Sequence, residues 1–398
     1  MNNSLGIWFD PNDPLTKLEP ELELHINLWK LKNLKRSYKE SPYFLDIGLL
    51  VTQIENIKNI NIYTPFNLEK YDIVNLGDII GKDEKLLSAI FNVSAGSRKQ
   101  LSPNNTGLSS IKEIQKLIPI TLGSDPIKQF LLFCFDENDF EVEPYKQLGS
   151  IIKLNTNKDY FKENKQEVYF RFRLYLSQEN ADKISSTHSP TDKNILSSIS
   201  KKEIIDFRVN ENRNIPQDIQ DEKIRNCFTI KKIHFFHIRQ ANDELLLSNQ
   251  ASMRYRGLED DVWINYVNLE NRQSFSIDKV FAYHWKETTK DEKDEIESFT
   301  ASAKYQFQVS SFSSISRHIV FIILVSVISS ILASLVFKHF NGPDKNLQIY
   351  EDNSKIREKN VDAWQQETTK RLSRLESLIF SLRKPSENTS KENNPEKK

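Results

Sequence analysis

The 398 residues carry 55 Lys and Arg against 55 Asp and Glu, a formal net charge of zero. That balance lacks the basic face a nucleic-acid groove needs, so nucleic acid is not an expected partner. A hydrophobic content of 38%, with 11% aromatic, suffices for a packed core, and the length allows one large or two ordinary soluble domains.

Taken in chain order, residues 1–24 have no basic stretch followed by an apolar one, so no secretory leader is expected and the N-terminal region is placed in the cytosol. Residues 43–53 and 57–63 read as strands. Residues 85–91 present Leu86, Leu87, Ile90 and Phe91 at helical spacing, and residues 111–118 present Ile111, Ile114, Leu117 and Ile118 likewise. Between them, residues 92–99 join small side chains to Arg98 and Lys99, a pair suited to a phosphate, although the spacing of a P-loop is missing. Residues 129–143 predict a hairpin turning at Asp136, Glu137, Asn138 and Asp139. That turn lacks the glycine and the late glutamate of a calcium loop.

Residues 168–176 alternate cleanly, with Phe170, Phe172, Leu174 and Leu176 on one face and Tyr169, Arg171, Arg173 and Tyr175 on the other. Arg171 and Arg173 between two tyrosines are candidates for an anionic ligand, the alternative being a solvated outer sheet face. Residues 169–178 echo 43–53, and 230–236 echo 57–63, in the same order. This suggests a duplicated β-module, with a first module over 1–165 and a second over 166–285, interrupted by a solvated polar insertion at 179–226. Further strands are expected at 228–238, 262–267 and 275–285. His234 and His237, three apart on a strand, point to opposite faces and cannot share a metal without distortion. Cys134 and Cys227 have no CxxC partner and read as free buried thiols, as a reducing compartment favours.

Residues 286–318 read as a juxtamembrane linker. The next nineteen residues, 319–337, carry no charge, and as a helix they reach about 28 Å, close to the hydrocarbon thickness of a bilayer. Arg317 and His318 bound them on one side, Lys338 and His339 on the other. Within the span Ser326, Ser330 and Ser334 recur every four residues, a ridge on which a second helix can approach closely. Residues 346–384 read as an amphipathic helix whose Leu372, Leu375, Ile379 and Leu382 follow a coiled-coil seam. Ile349, Ile356 and Ala363 recur in another frame, so a continuous coil needs a stutter. Residues 385–398 read as a disordered tail.

The expected fold is mainly β, with α+β as the alternative: a cytosolic sandwich-like region of one body or of the two modules above, then one transmembrane helix and a helical or coiled-coil tail. The expected function is that of a single-pass, self-associating binding, sensor or scaffold protein, its partners being the lipid bilayer, copies of itself, and a protein or small ligand at the β-region. No cofactor or metal is expected. One alternative is a tethered enzyme using the acids Glu259, Asp260 and Asp261 or His284, although G-x-S-x-G and H-E-x-x-H are both absent. The other is a membrane-perturbing effector activated by clustering.

Overall fold

The computed structural model describes residues 3–32, 41–97, 116–123, 129–162, 165–189, 200–250, 253–269, 274–291, 293–308, 312–340 and 347–383. The chain divides into two compact units, Met1–Ile315 and Ser316–Lys398.

The first unit opens with strands β1 (Ser4–Pro11), β2 (Glu21–Lys30), β3 (Tyr43–Val51), β4 (Ile57–Thr64) and β5 (Ile73–Asn75). Helices α1 (Gly77–Lys82) and α2 (Glu84–Phe91) follow, then β6 (Ala95–Ser97), β7 (Leu117–Leu122), β8 (Gln129–Phe133), β9 (Phe140–Tyr145) and β10 (Gly149–Asn155). Next come α3 (Asp159–Lys162), β11 (Val168–Tyr175), α4 (Gln178–Ala181), β12 (Ser185–His188), β13 (Ser200–Val209) and α5 (Gln217–Arg225). The unit closes with β14 (Thr229–Gln240), β15 (Glu244–Ser248), β16 (Arg254–Gly257), α6 (Asp260–Val267), β17 (Val280–Thr288) and β18 (Phe299–Gln308).

These strands form two mixed sheets. One has ten strands in the order β16-β17-β14-β2-β3-β11-β8-β7-β6, with β5 also on β11; the other has eight, β15-β18-β13-β1-β4-β10-β9, with β12 on β13. Alternation sorts each strand between two cores. On β2, Leu22, Leu24, Ile26 and Leu28 face the space between the sheets, where they meet Leu5, Ile7 and Phe9 of β1 and Ile60 and Ile62 of β4. Each such side chain contributes about 1.5–3 kcal/mol by leaving water. Trp29, Phe44, Tyr169 and Tyr175 face outward from the ten-stranded sheet and pack under Leu86 and Leu87 of α2 and Trp263 and Tyr266 of α6. Trp8 and Tyr63 face outward from the other sheet, under Ile219 of α5 and Ile215 just before it.

Several sequence expectations change. The mainly β architecture holds, and α2 forms as expected, its N-terminus capped by Asp83, which accepts from the Lys85 and Leu86 amides at 3.0 Å. Leu117 and Ile118, expected to end a helix, instead begin β7; residues 111–115 lie outside the described ones. The expected hairpin at 129–143 is a crossover: β8 belongs to the ten-stranded sheet, and β9 pairs with β10 in the other. Residues 262–267 are helical, because Asp260 and Asp261 suit a helix N-terminus and Trp263, Tyr266 and Val267 bury at helical spacing. The polar insertion contains β13, which pairs with β1 and β18, and the expected linker contains β18. Strands from both sides of residue 165 therefore share each sheet: in the ten-stranded one they are interleaved, and in the eight-stranded one they join at β13 and β1. Of the echoing segments, β3 and β11 are antiparallel neighbours, whereas β4 and β14 lie in different sheets. Cys134 is buried but Cys227 is exposed, and both are free.

The second unit contains most of α7 (Phe312–Phe340) and all of α8 (Leu347–Arg383). Ile319–Phe340 is long and apolar enough to cross a membrane and none of it is buried, unlike the core helix of a soluble protein.

Candidate functional site

The outward face of the ten-stranded sheet is built by register. β11 pairs with β3, β3 with β2, and β2 with β14, so that Arg171, Gly48, His25 and His234 fall in one row across four strands. The next outward row runs Arg173, Asp46, Asn27, Phe236, and on to His284 of β17 and Arg254 of β16. No stretch of sequence brings these residues together; only the pairing does.

At the β11 end this face is closed by α6. Arg173 is fully buried and forks onto Asp46, its Nε donating to Oδ1 at 2.7 Å and its Nη2 to Oδ2 at 3.2 Å. Asp46 Oδ2 also accepts from Trp29 Nε1 and from the Tyr266 hydroxyl, both at 2.8 Å. Arg171, 1% exposed, donates from Nε to the Tyr266 hydroxyl and from Nη1 to the Tyr169 hydroxyl, both at 2.9 Å. With its amide oriented to suit its neighbours, Asn27 accepts from Arg171 Nη2 at 2.8 Å. Burial opposes the Arg171 charge, but the Tyr169, Tyr266 and Asp46 oxygens outweigh it and hold the guanidinium above its ordinary value. Gly48 makes the room: a Cβ there would lie 2.9 Å from Tyr169 Cζ and 3.1 Å from Arg171 Nη1. Arg171 and Arg173 thus occupy neither a solvated face nor an open pocket, because α6 covers them and their bonds end within the chain.

Away from α6 the same face opens. The Tyr169 hydroxyl lies 3.2 Å from His25 Nδ1, and His25 sits edge-on to His234 with ring centroids 5.3 Å apart. His234 Nδ1 and His284 Nε2 are 2.9 Å apart, with rings 9° from parallel and centroids 5.1 Å apart. Those values put the rings almost in one plane, edge to edge, so the contact is an in-line N–H···N hydrogen bond; two nitrogens aimed at each other leave no point where both lone pairs could meet a metal. Among the described residues no group of His, Cys, Asp or Glu is arranged to hold a metal ion. Phe236 stacks on His284 at 4.2 Å. Burial lowers His234 to about 3 and His284 to about 4, aided by Lys232 and Lys286 for the first and by Lys286, Arg254 and Arg256 for the second. Burial and the neighbouring histidines, Arg171 and Lys232 also hold His25 well below its ordinary value. All three rings are neutral at neutral pH.

Of the other sequence candidates, Arg98 and Lys99 lie outside the described residues. Glu259, Asp260 and Asp261 are exposed and start α6. His237 points away from His234, as expected, and is fully buried between the sheets against Tyr305. In α7, Ser326 Oγ donates to the Ile322 carbonyl four residues back at 2.8 Å. Ser330 and Ser334 follow on the same helix. In α8, Leu372 and Leu375 are exposed, Ile379 and Leu382 continue the helix, and the side chains of those last two lie outside the described ones. A cleft of about 780 Å³ elsewhere in the first unit is lined by Leu15, Leu18, Cys227, Lys231 and Lys293 among others, away from the histidines. His25, Asp46, Tyr266, Arg254 and Lys286 went unnoticed in the sequence because each is unremarkable among its own chain neighbours.

No protein-family model matches the chain, and no curated protein does. Among solved structures it is similar to a yeast delta-COP-I mu-homology domain, at 10% identity over 79% of this chain and 78% of that one, with a TM-score of 0.18. It is also similar to the Fcho1 Mu homology domain of Danio rerio with a bound Eps15 peptide, at 8% identity over 77% and 81% of the two chains, with a TM-score of 0.11. Scores of this size carry no argument about function.

Proposed function

We propose that the chain is a single-pass membrane-anchored binding protein, whose first unit recognises a ligand or partner and whose C-terminal helices hold copies of the chain together. The observation that supports it is the Ile319–Phe340 helix, apolar along its length with none of it buried. A helix of that composition has no stable place in water, whereas in a bilayer its backbone bonds are satisfied internally and its side chains meet hydrocarbon. The first unit lies in the cytosol in this reading, and two unpaired thiols, one of them exposed, suit that side. Binding is favoured over catalysis because Arg171, Arg173, Asp46, Tyr169 and Tyr266 are tied into one buried network, and the acids at Glu259–Asp261 serve a helix start.

The test is fractionation of the full chain and of a variant lacking residues 319–340. The full chain should stay with membranes through an alkaline carbonate wash, and the shortened one should appear in the supernatant. Release of the full chain by carbonate would sink the anchor.

A further inference from the structure

We propose that the open end of the outward face, between His284, His234, Arg254 and Lys286, is a receptor site for a phosphate group. The proposal rests on reading the first unit as a binding domain, and it names the chemistry of the ligand.

Charge placement is the first argument. Arg254 of β16 pairs in register with His284, and Lys286 of β17 with His234, so the two exposed cations flank the histidine pair on adjoining strands. Among the described residues neither makes a salt bridge, whereas Lys232 of β14 is neutralised by Glu23 of β2 at 2.7 Å. Arg256 of β16 adds a third cation, donating to the Ala89 carbonyl of α2 at 3.0 Å and to Asn92 at 3.3 Å. On the β2 and β11 side the facing groups are Glu23, His25, Tyr169 and Arg171, and Glu23 is already engaged. Exposed structural charges usually come interleaved in sign. Here Arg254, Arg256 and Lys286 gather around the pair, and among the described residues no acid forms an ion pair with any of them.

The imidazole pair is the second argument. An in-line N–H···N bond between two neutral rings leaves one outer nitrogen with a hydrogen and the other without. Moving the bridging proton to the other ring, with one proton released to water at one outer nitrogen and one taken up from water at the other, exchanges the two ends. An anion at the His284 end would select the tautomer in which His234 Nδ1–H donates to His284 Nε2 and His284 Nδ1–H points to the ligand. The ring is held ready by Phe236, stacked on its face. A dianion also reverses the cationic field that keeps the rings neutral. A planar guanidinium, an ammonium and an imidazole N–H together match the several acceptor oxygens and double charge of a phosphate better than a lone carboxylate.

The phosphate can belong to a soluble phosphoester or to a lipid headgroup, and the experiment separates these. The full chain, labelled at its seven histidines, is held in phosphatidylcholine nanodiscs and titrated by NMR. One arm adds inorganic pyrophosphate, and the other replaces part of the lipid with a phosphoinositide. In at least one arm the His234 and His284 signals should shift saturably, with apparent pKa values raised by about one unit or more. Exchanging both cations in Arg254→Glu with Lys286→Glu should weaken binding about 100-fold. Both residues are exposed, so this variant should unfold within a few degrees of the parent. The conservative His284→Gln, which keeps a donor, should retain more of the binding than His284→Leu. Histidine signals unmoved in both arms, or binding unchanged by the double charge reversal, would overturn the site. Carbonate fractionation of the same variants reads the anchor separately, so failure of the site and failure of the membrane reading cannot be confused.

Discussion

At the scale of single residues, Asp46 is the hinge of the buried network. Among the described residues it is the only carboxylate bonded to Arg173, and it reaches Arg171 through the Tyr266 hydroxyl, so two guanidiniums depend on it. Asp46→Asn should therefore destabilise the first unit by about 3–5 kcal/mol, because a buried arginine left without its countercharge costs far more than the pair contributes. Urea unfolding of the full chain in detergent measures this, and a loss under about 1 kcal/mol would show that the network is not closed as described. The histidine pair sets a pH dependence. Burial holds His234 at about 3 and His284 at about 4 in the folded chain, whereas both titrate near 6.5 when unfolded. As pH falls below about 6.5 the unfolded chain takes up protons first. The contribution of the neutral pair is thus complete above that value and is lost on the way down, through about pH 4 for His284 and about pH 3 for His234. The unfolding midpoint should drop across that window, and His234→Gln with His284→Gln should flatten the drop. An equally steep profile in the double variant would assign acid sensitivity to other groups. The sequence displayed the alternation that carries Arg171 and Arg173, but it held no sign of which face α6 would cover. That depends on Tyr266 and Val267, about a hundred positions away.

At the scale of elements, periodicity was legible where side chains are large and misleading where they are small or short-range. β18 alternates Phe299, Ala301, Ala303 and Tyr305 inward, but two alanines among Ser, Thr, Lys and Gln read as linker. Residues 262–267 are apolar enough for a strand, and the acids before them were the sign of a helix start. α8 differs in that the structure gives one helix over the whole of the proposed seam. Because the helix runs unbroken from Leu347 to Arg383, the seam can be followed upstream of Leu372: Val361, Trp364, Thr368, Leu372 and Leu375, then Ile379 and Leu382. The steps are three, four, four, three, four and three, the spacing that the proposed heptad seam would have with one stutter at Thr368. Trp364 is 69% exposed and Leu375 57%. A lone amphipathic helix cannot hide such a stripe, whereas a parallel second copy anchored in the same membrane can. Glutaraldehyde should therefore trap oligomers of the full chain. Leu375→Asp combined with Ser330→Leu should shift them toward monomer without releasing the protein from membranes. Crosslinking that survives both changes would exclude the helices as the assembly device and leave the strand edges of the first unit.

At the scale of the whole molecule, the two sheets determine where the chain can be cut. A boundary after residue 285, natural from the sequence, would remove β18. That strand pairs with β13 over its full length and is the sheet partner of β15. Ile296, Phe299, Ala301, Ala303 and Tyr305 also belong to the core between the sheets. Removing them would leave β15 without its ladder, open a long edge on β13, and take five buried side chains out of the core between the sheets. A cut after Ile315 keeps every strand and ends before the apolar helix. Residues 1–315 should therefore be soluble, with a far-UV circular dichroism spectrum dominated by strand and a cooperative unfolding transition. Residues 1–288 should aggregate or lose that transition. Should the shorter fragment prove as soluble and cooperative as the longer one, β18 would be dispensable and the eight-stranded sheet would end at β13. Should the longer one aggregate while the full chain in detergent does not, the first unit would need the C-terminal helices to fold, and the division into two compact units would not extend to stability.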